Sequence, residues 1–329
     1  MNHSAIAVCC LSALLASLML ASPVTAADDS YPSRPVKMLV GFSAGSGTDS
    51  VARVLGKAMS ERLGQSIIVE NHAGAGGTIA TSLVANSRAD GYTLLTASSS
   101  IGISPVVYAK LPFDTESDLT PIGYMGALPT VLLINTRTVP VKTLAEFIAW
   151  VKAKPDTLKF GSSGIGGSTH FFTELFQHMT GTRMRHIPYR GGSQDVTALR
   201  TGEVDVLFET LILALPLLQA PDILPLAITG PTRAPLLPNV PTFTEAGLPA
   251  FQAEAYFGLL GPAKMPPAIV EKLNAVLNES LKDPDVVARL ANAAGMRLYG
   301  GTPKAYADQI HSDIAQWRQI ATEAGIKPE

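Results

Sequence analysis

Beyond position 10 this chain has no cysteine: Cys9 and Cys10 both fall in an apolar leader. Disulfide frameworks, thiol catalysis and cysteine metal sites are therefore excluded from the folded part. Nor does one charge dominate. The 25 Lys and Arg against 27 Asp and Glu leave a formal charge of −2. That leaves no basic patch for nucleic acid. After the leader, no apolar run reaches the length of a membrane span. Charged residues are 16% and hydrophobic ones 47%, the balance of a globular protein with a full core and not of a disordered one.

Residues 1–26 read as a secretory signal peptide, apolar over 5–20 and ending in the small residues Val24-Thr25-Ala26. A lipid-anchoring cysteine would end the apolar run, and here both lie near its start. The alternative is an uncleaved anchor. Cleavage after Ala26 leaves 303 of the 329 residues, compatible with two domains in an exported protein.

Strand-like runs then alternate with helical spacing. Strands are expected at 37–42, 66–70, 93–97, 130–135, 158–162, 185–188, 204–208 and 224–229. Helices are expected at 50–63, 78–87, 144–153, 169–180 and 193–201. Such alternation predicts parallel sheets with helices on both faces. The last stretch is helical, with Pro267 and Pro303 opening helices. No linker divides the chain, so it is expected to cross between domains near Leu128-Pro129 and again near 253–257. The expected domains are 27–128 with 254–329, and 129–253, with a ligand cleft between them.

The most informative stretch is Gly41-Phe42-Ser43-Ala44-Gly45-Ser46-Gly47-Thr48-Asp49-Ser50. It reads strand, small-residue loop, helix. Exposed backbone N–H groups and a helix N-terminus make an anion seat without a cation. Asp49 is expected to cap the helix. The segment also matches the G-x-S-x-G nucleophile elbow, with Ser43 as nucleophile of a secreted esterase. Too few strands precede it for that fold, and the loop runs on past Ser43 before the helix begins. Gly161 to Ser168 almost matches a phosphate loop, but Gly167 stands where the lysine belongs, which argues against an ATPase. What remains is a second small-residue loop opening a second helix, able to clamp a carboxylate from the other side. His170, Glu174 and His178 share a helix face, but eight residues span about 12 Å, too far for both histidines to bind one metal. Neither a metal nor a cofactor is expected. Tyr189 follows the strand 185–188, and Glu209 lies just beyond the strand 204–208.

Taken in order, several segments resemble the Bug/TctC group, the extracytoplasmic solute-binding proteins of tripartite tricarboxylate transporters. They are Tyr31-Pro32-Ser33-Arg34-Pro35, Val69-Glu70-Asn71, Gly74-Ala75-Gly76-Gly77 and Asp90-Gly91-Tyr92-Thr93-Leu94-Leu95. Leu111-Pro112-Phe113-Asp114, His186-Ile187-Pro188-Tyr189-Arg190-Gly191-Gly192, Pro238-Asn239-Val240-Pro241-Thr242 and Phe257-Gly258-Leu259-Leu260-Gly261-Pro262-Ala263 continue the series. The resemblance spans the mature chain. It implies a type II periplasmic-binding-protein fold, two doubly wound α/β domains joined by two crossing strands. It implies a carboxylate ligand held by Ser43, Ala44, Gly47 and Thr48 in one domain. Ser163, Gly164, Ser168, Thr169 and His170 would face them, with Ser98, Tyr189 and Glu209 completing the site.

The same resemblance implies a non-enzymatic, monomeric protein that delivers its ligand to a membrane permease or a sensor. An interaction protein that kept the fold and lost the ligand is a third reading. Departures from the family cluster at Phe208-Glu209-Thr210, where Phe-Asp-Asn is frequent, and at Leu211-Ile212-Leu213. An apolar wall from 211–213 would favour an aromatic or branched carboxylate, unless these residues simply begin a buried helix.

Overall fold

Val36, Met38, Leu39 and Val40 are all buried, as expected of a strand covered by helices on both faces. The computed structural model describes residues 31–324. The leader and its expected cleavage site lie outside the described residues. β1 (Val36–Val40) pairs in parallel with β2 (Ile67–Asn71) and β3 (Thr93–Ser98). α1 (Gly47–Leu63) and α2 (Thr78–Ala85) make the crossovers. α3 (Ser100–Val107), which periodicity did not announce, follows β3 and is buried at seven positions. An apolar helix hidden on all sides carries no polar face to reveal its period.

β4 (Leu119–Leu128) leads out of this sheet, and after Pro129 the chain enters β5 (Thr130–Asn135) of a second one. α4 (Leu144–Ala153), β6 (Lys159–Ser162), α5 (Ser168–Thr180), β7 (Arg185–Pro188) and α6 (Gly192–Thr201) follow. Next come β8 (Val206–Thr210), α7 (Leu211–Leu217) and β9 (Ile223–Ile228). β10 (Ala255–Pro262) returns to the first sheet. α8 (Pro267–Ser280), α9 (Pro284–Val286), a π-helical turn Val287–Asn292, β11 (Arg297–Leu298) and α10 (Pro303–Ala324) complete the described chain.

The strand orders are β11-β4-β10-β3-β1-β2 and β7-β6-β8-β5-β9. Each sheet is mixed, which corrects the expectation of parallel sheets. The parallel parts are β2-β1-β3 and β7-β6-β8. β10 runs antiparallel to both β3 and β4, and β5 to both β8 and β9. The reason is topological: β4 carries the chain out and β10 brings it back alongside, so the two run in opposite directions.

Each sheet is the centre of one lobe. α10 belongs to both. Tyr306, Ile310 and Ile314 pack in the first lobe with Leu95 and Tyr256, whereas Trp317 and Ala321 join the core of the second with Phe171 and Phe172. Residues 211–213 begin α7, whose Leu211, Ala214 and Leu217 pack with Val131 and Leu207. Leu211 is core, Ile212 and Leu213 are half-buried, and none of the three lines the cavity between the lobes, so the argument for an apolar ligand body falls.

Candidate functional site

The carboxyl ends of β1 and β6 face each other across the lobes, and each opens a helix through a small-residue loop. In the first loop Ser46, not Asp49, is the N-cap of α1. Its hydroxyl accepts the Asp49 N–H at 3.2 Å. Asp49 reaches back past the N-cap to accept the Gly45 N–H at 2.9 Å, while the Ser46 N–H goes to the Ser43 carbonyl at 3.1 Å. Its carboxylate also accepts from Arg53 Nε at 2.9 Å and Asn71 Nδ2 at 2.8 Å. Burial pushes its pKa up, but these donors outweigh burial and hold it below the usual range. The negative charge is thus consumed in shaping the loop, which leaves the N–H groups at the start of α1 for a ligand.

The second loop is tied in its own way. Thr169 Oγ1 accepts the Ser163 N–H at 2.9 Å and pairs with the Ser163 hydroxyl at 3.0 Å. Ser162 Oγ accepts the Gly164 N–H at 3.1 Å and contacts His186 Nε2 at 2.6 Å. His186 stacks on His170 at 4.2 Å and on Phe160 at 4.7 Å. Burial lowers the pKa of His170 to about 4. Burial and then the charge of His170 lower that of His186 to about 3. Both rings are neutral at pH 7 and supply no cation.

One cavity lies between the loops. Ser46, Gly47, Thr48 and Ser98 line it from the first lobe, with Phe42, Ala255 and Phe257. Ser163, Ser168, Thr169, Gly192, Glu209 and Thr210 line it from the second. Its volume is on the order of 150 Å³, room for a small organic acid. Glu209 is the one ionisable side chain among the described lining residues.

Of the residues singled out in the sequence, Gly47, Thr48, Ser98, Ser163, Ser168, Thr169 and Glu209 therefore share the cavity wall. Ser43, Ala44, Gly164, His170 and Tyr189 are placed elsewhere. The Ser43 hydroxyl meets Ser193 Oγ at 3.0 Å, and Ser193 Oγ donates to the Ala44 carbonyl at 3.4 Å. The Tyr189 hydroxyl donates to Glu203 at 2.8 Å, on the surface. Phe42, Ser46, Ala255 and Phe257 were missed, as were Gly192 and Thr210. The pair Gly191-Gly192 opening a helix was a signal for Gly192. Thr210 gave none, since β8 runs two residues further than the apolar run suggested.

The lobes also touch directly, along a seam of glycines. The Tyr108 hydroxyl of the first lobe donates to the Ile165 carbonyl of the second at 2.8 Å. Gly76 has a left-handed φ of 60°, and a Cβ there would lie 2.4 Å from the Ile165 oxygen. A Cβ on Gly191 would lie 2.2 Å from Ser43 Oγ. Only bare backbone permits this approach.

Residues 51–326 match the family model described as Tripartite tricarboxylate transporter family receptor. The chain belongs to that family. It is 37% identical to Protein BugT of Bordetella pertussis over 317 residues, 95% of each chain. Among solved structures it is similar to an R. palustris protein with adipate, at 33% identity and a TM-score of 0.86 over 91% of this chain and all of that one. It is likewise similar to MatC from Rhodopseudomonas palustris with bound malate, at 32% identity and a TM-score of 0.84 over 88% and 99%. Members of the Tripartite tricarboxylate transporter receptor family are solute-binding proteins and not enzymes. The esterase reading of Ser43 is set aside on that ground. Among the described residues, no helix is long and apolar enough to cross a membrane.

Proposed function

We propose that this protein is a periplasmic receptor that captures a small carboxylate by closure of its two lobes and delivers it to a permease of the tripartite tricarboxylate type. One observation carries the reading. The N-termini of α1 and α5, from different lobes, converge with their hydroxyl side chains on one buried cavity. Each contributes unpaired N–H groups and the positive end of a helix dipole, which together suit one carboxylate. Gly47, Thr48, Ser168 and Thr169 would donate to it, with Ser98 and Ser163 beside them. The carboxylate ligands named for two similar structures, adipate and malate, support this class.

The lobes would correspond to domains 27–128 with 254–329, and 129–253. The membership of the strands supports this division, with β4 and β10 as the crossing pair. Residues 1–26 would be the cleaved export signal, and the mature chain would act as a monomer. Ligand would favour the closed form because only that form presents both helix ends at once.

A thermal-shift screen of the mature chain against amino acids and mono-, di- and tricarboxylates tests the reading. A ligand at 100 times its Kd adds about 2.7 kcal/mol to the folded state, a shift of several degrees. Thr48→Ala and Thr169→Ala should each weaken binding. If no carboxylate shifts the melting temperature, the proposal is wrong.

A further inference from the structure

The cavity wall holds one group that a carboxylate seat does not call for. Glu209, near the end of β8, is 3% exposed. Its Oε1 accepts the Thr210 N–H at 2.6 Å and the Thr210 hydroxyl at 2.7 Å, which fixes the side chain. Its Oε2 is buried with no hydrogen-bond partner among the described residues. That oxygen lies against Gly192, another part of the wall, where a Cβ would come within 2.8 Å of it. Asp195 of α6 is fully buried beside it. Asp195 Oδ1 accepts the Val196 N–H at 2.7 Å, while its Oδ2 is also without a partner. No ion pair joins either carboxyl to a cation among the described residues. The walls on α1, β3, α5 and β10 contribute no ionisable group.

A buried carboxyl oxygen without a donor is destabilising, and a ligand that brings the donor recovers that free energy. We propose that Glu209 sets the ligand's specificity: Oε2 receives the ammonium of an amino-carboxylate whose carboxylate lies at the two helix N-termini. This rests on the carboxylate reading of the site and narrows it. A dicarboxylate of the same skeleton would instead place a second negative group beside Glu209 and Asp195, in a cavity of low dielectric. The two ligand classes therefore move protons in opposite directions. Burial raises the pKa of Glu209 to about 7, and burial with the charge of Glu209 raises that of Asp195. The free site thus holds a proton near neutral pH. Docking an ammonium ionises Glu209 and sends its proton to the solvent. Docking a second carboxylate draws a proton in.

The test uses matched pairs that differ by the amine: alanine with propionate, aspartate with succinate, glutamate with glutarate. Titration calorimetry of the mature protein at pH 7 in buffers of different ionisation enthalpy reads affinity and proton transfer together. The expected result is that at least one amino acid binds tenfold or more tightly than its deaminated partner and releases protons. Glu209→Gln should cut that preference about ten- to hundredfold, the weight of a charge-assisted hydrogen bond. Should Glu209→Gln not fold, the proton count on the unaltered protein decides alone. Tighter binding of the deaminated acids, proton uptake, or a preference surviving in folded Glu209→Gln overturns the inference and leaves the carboxylate reading standing. Absence of binding by every member of the pairs and of the wider carboxylate panel overturns both.

Discussion

The glycine seam makes closure testable without touching the cavity. Gly76 lies outside the cavity wall, yet a Cβ there would be 2.4 Å from the Ile165 oxygen, 2.6 Å from the Gly166 carbon and 2.7 Å from the Gly167 nitrogen. All three are backbone atoms of the opposite lobe, so no rotamer change relieves the clash. Gly76→Ala must hold the lobes apart by roughly an ångström and stretch the bond from Tyr108 to Ile165. Overpacking of this kind costs about 1–3 kcal/mol, and the weakened hydrogen bond about 1 more. A loss of about 2–4 kcal/mol in the closed form raises Kd roughly 30- to 1,000-fold. A separate, local cost arises because alanine at a φ of 60° is strained, by about 1–2 kcal/mol. That strain is present with or without ligand. It should lower the melting temperature of the free protein by a few degrees and cancel from Kd. The assay is calorimetric titration with the carboxylate that stabilises the unaltered protein most. A lower melting temperature with an unchanged Kd would refute the reasoning, because the liganded lobes would then never meet at this seam.

Other outcomes follow from the same geometry. Thr169→Val leaves the Ser163 N–H without its acceptor, which should cost about 1–3 kcal/mol in urea unfolding and weaken ligand binding as well; full stability would show that this bond is not needed. His170, held neutral down to about pH 4 against a usual 6.5, binds fewer protons folded than unfolded between those values. Stability should therefore fall as pH drops through that window. His170→Phe, which keeps a ring in the stack, should make the fall shallower in urea titrations at pH 7, 6, 5 and 4.5, and an unchanged slope would count against the burial argument. Glu209 acts with the opposite sign. Raised to about 7 from 4.5, it binds more protons folded than unfolded, so stability is lost as pH rises across that interval, and Glu209→Gln should remove that loss. Trp317 is buried at 4% exposure with its ring 5.2 Å from Phe171, so Trp317→Ala should cost about 3–5 kcal/mol. A loss under about 1 kcal/mol would mean that the end of α10 does not hold the second lobe.

Much of this architecture was legible in the sequence because the signals were local. The apolar runs at β5 and β7 and the helical spacing of α4 matched the structure at both ends. So did the order strand, small-residue loop, helix, which placed Gly47, Thr48, Ser168 and Thr169 at one cavity. What was not legible depends on partners distant in the chain. The antiparallel pairing of β4 with β10 joins residues more than a hundred positions apart. Helix α3 has no polar face to betray it. Ser46 and Asp49 divided the capping between them in a way that only the loop geometry reveals. Tyr189 and Ser43 belong to promising motifs, but their hydroxyls are occupied by Glu203 and Ser193. No spacing rule foretells that.

The central claim is that one carboxylate is held between two helix N-termini from different lobes. A crystal structure of the mature protein with the carboxylate that shifts its melting temperature most tests it directly. The account predicts both carboxylate oxygens within hydrogen-bonding distance of N–H or hydroxyl groups at Gly47–Thr48 and at Ser168–Thr169 together. A ligand bound by one lobe alone, or outside this cavity, would contradict it.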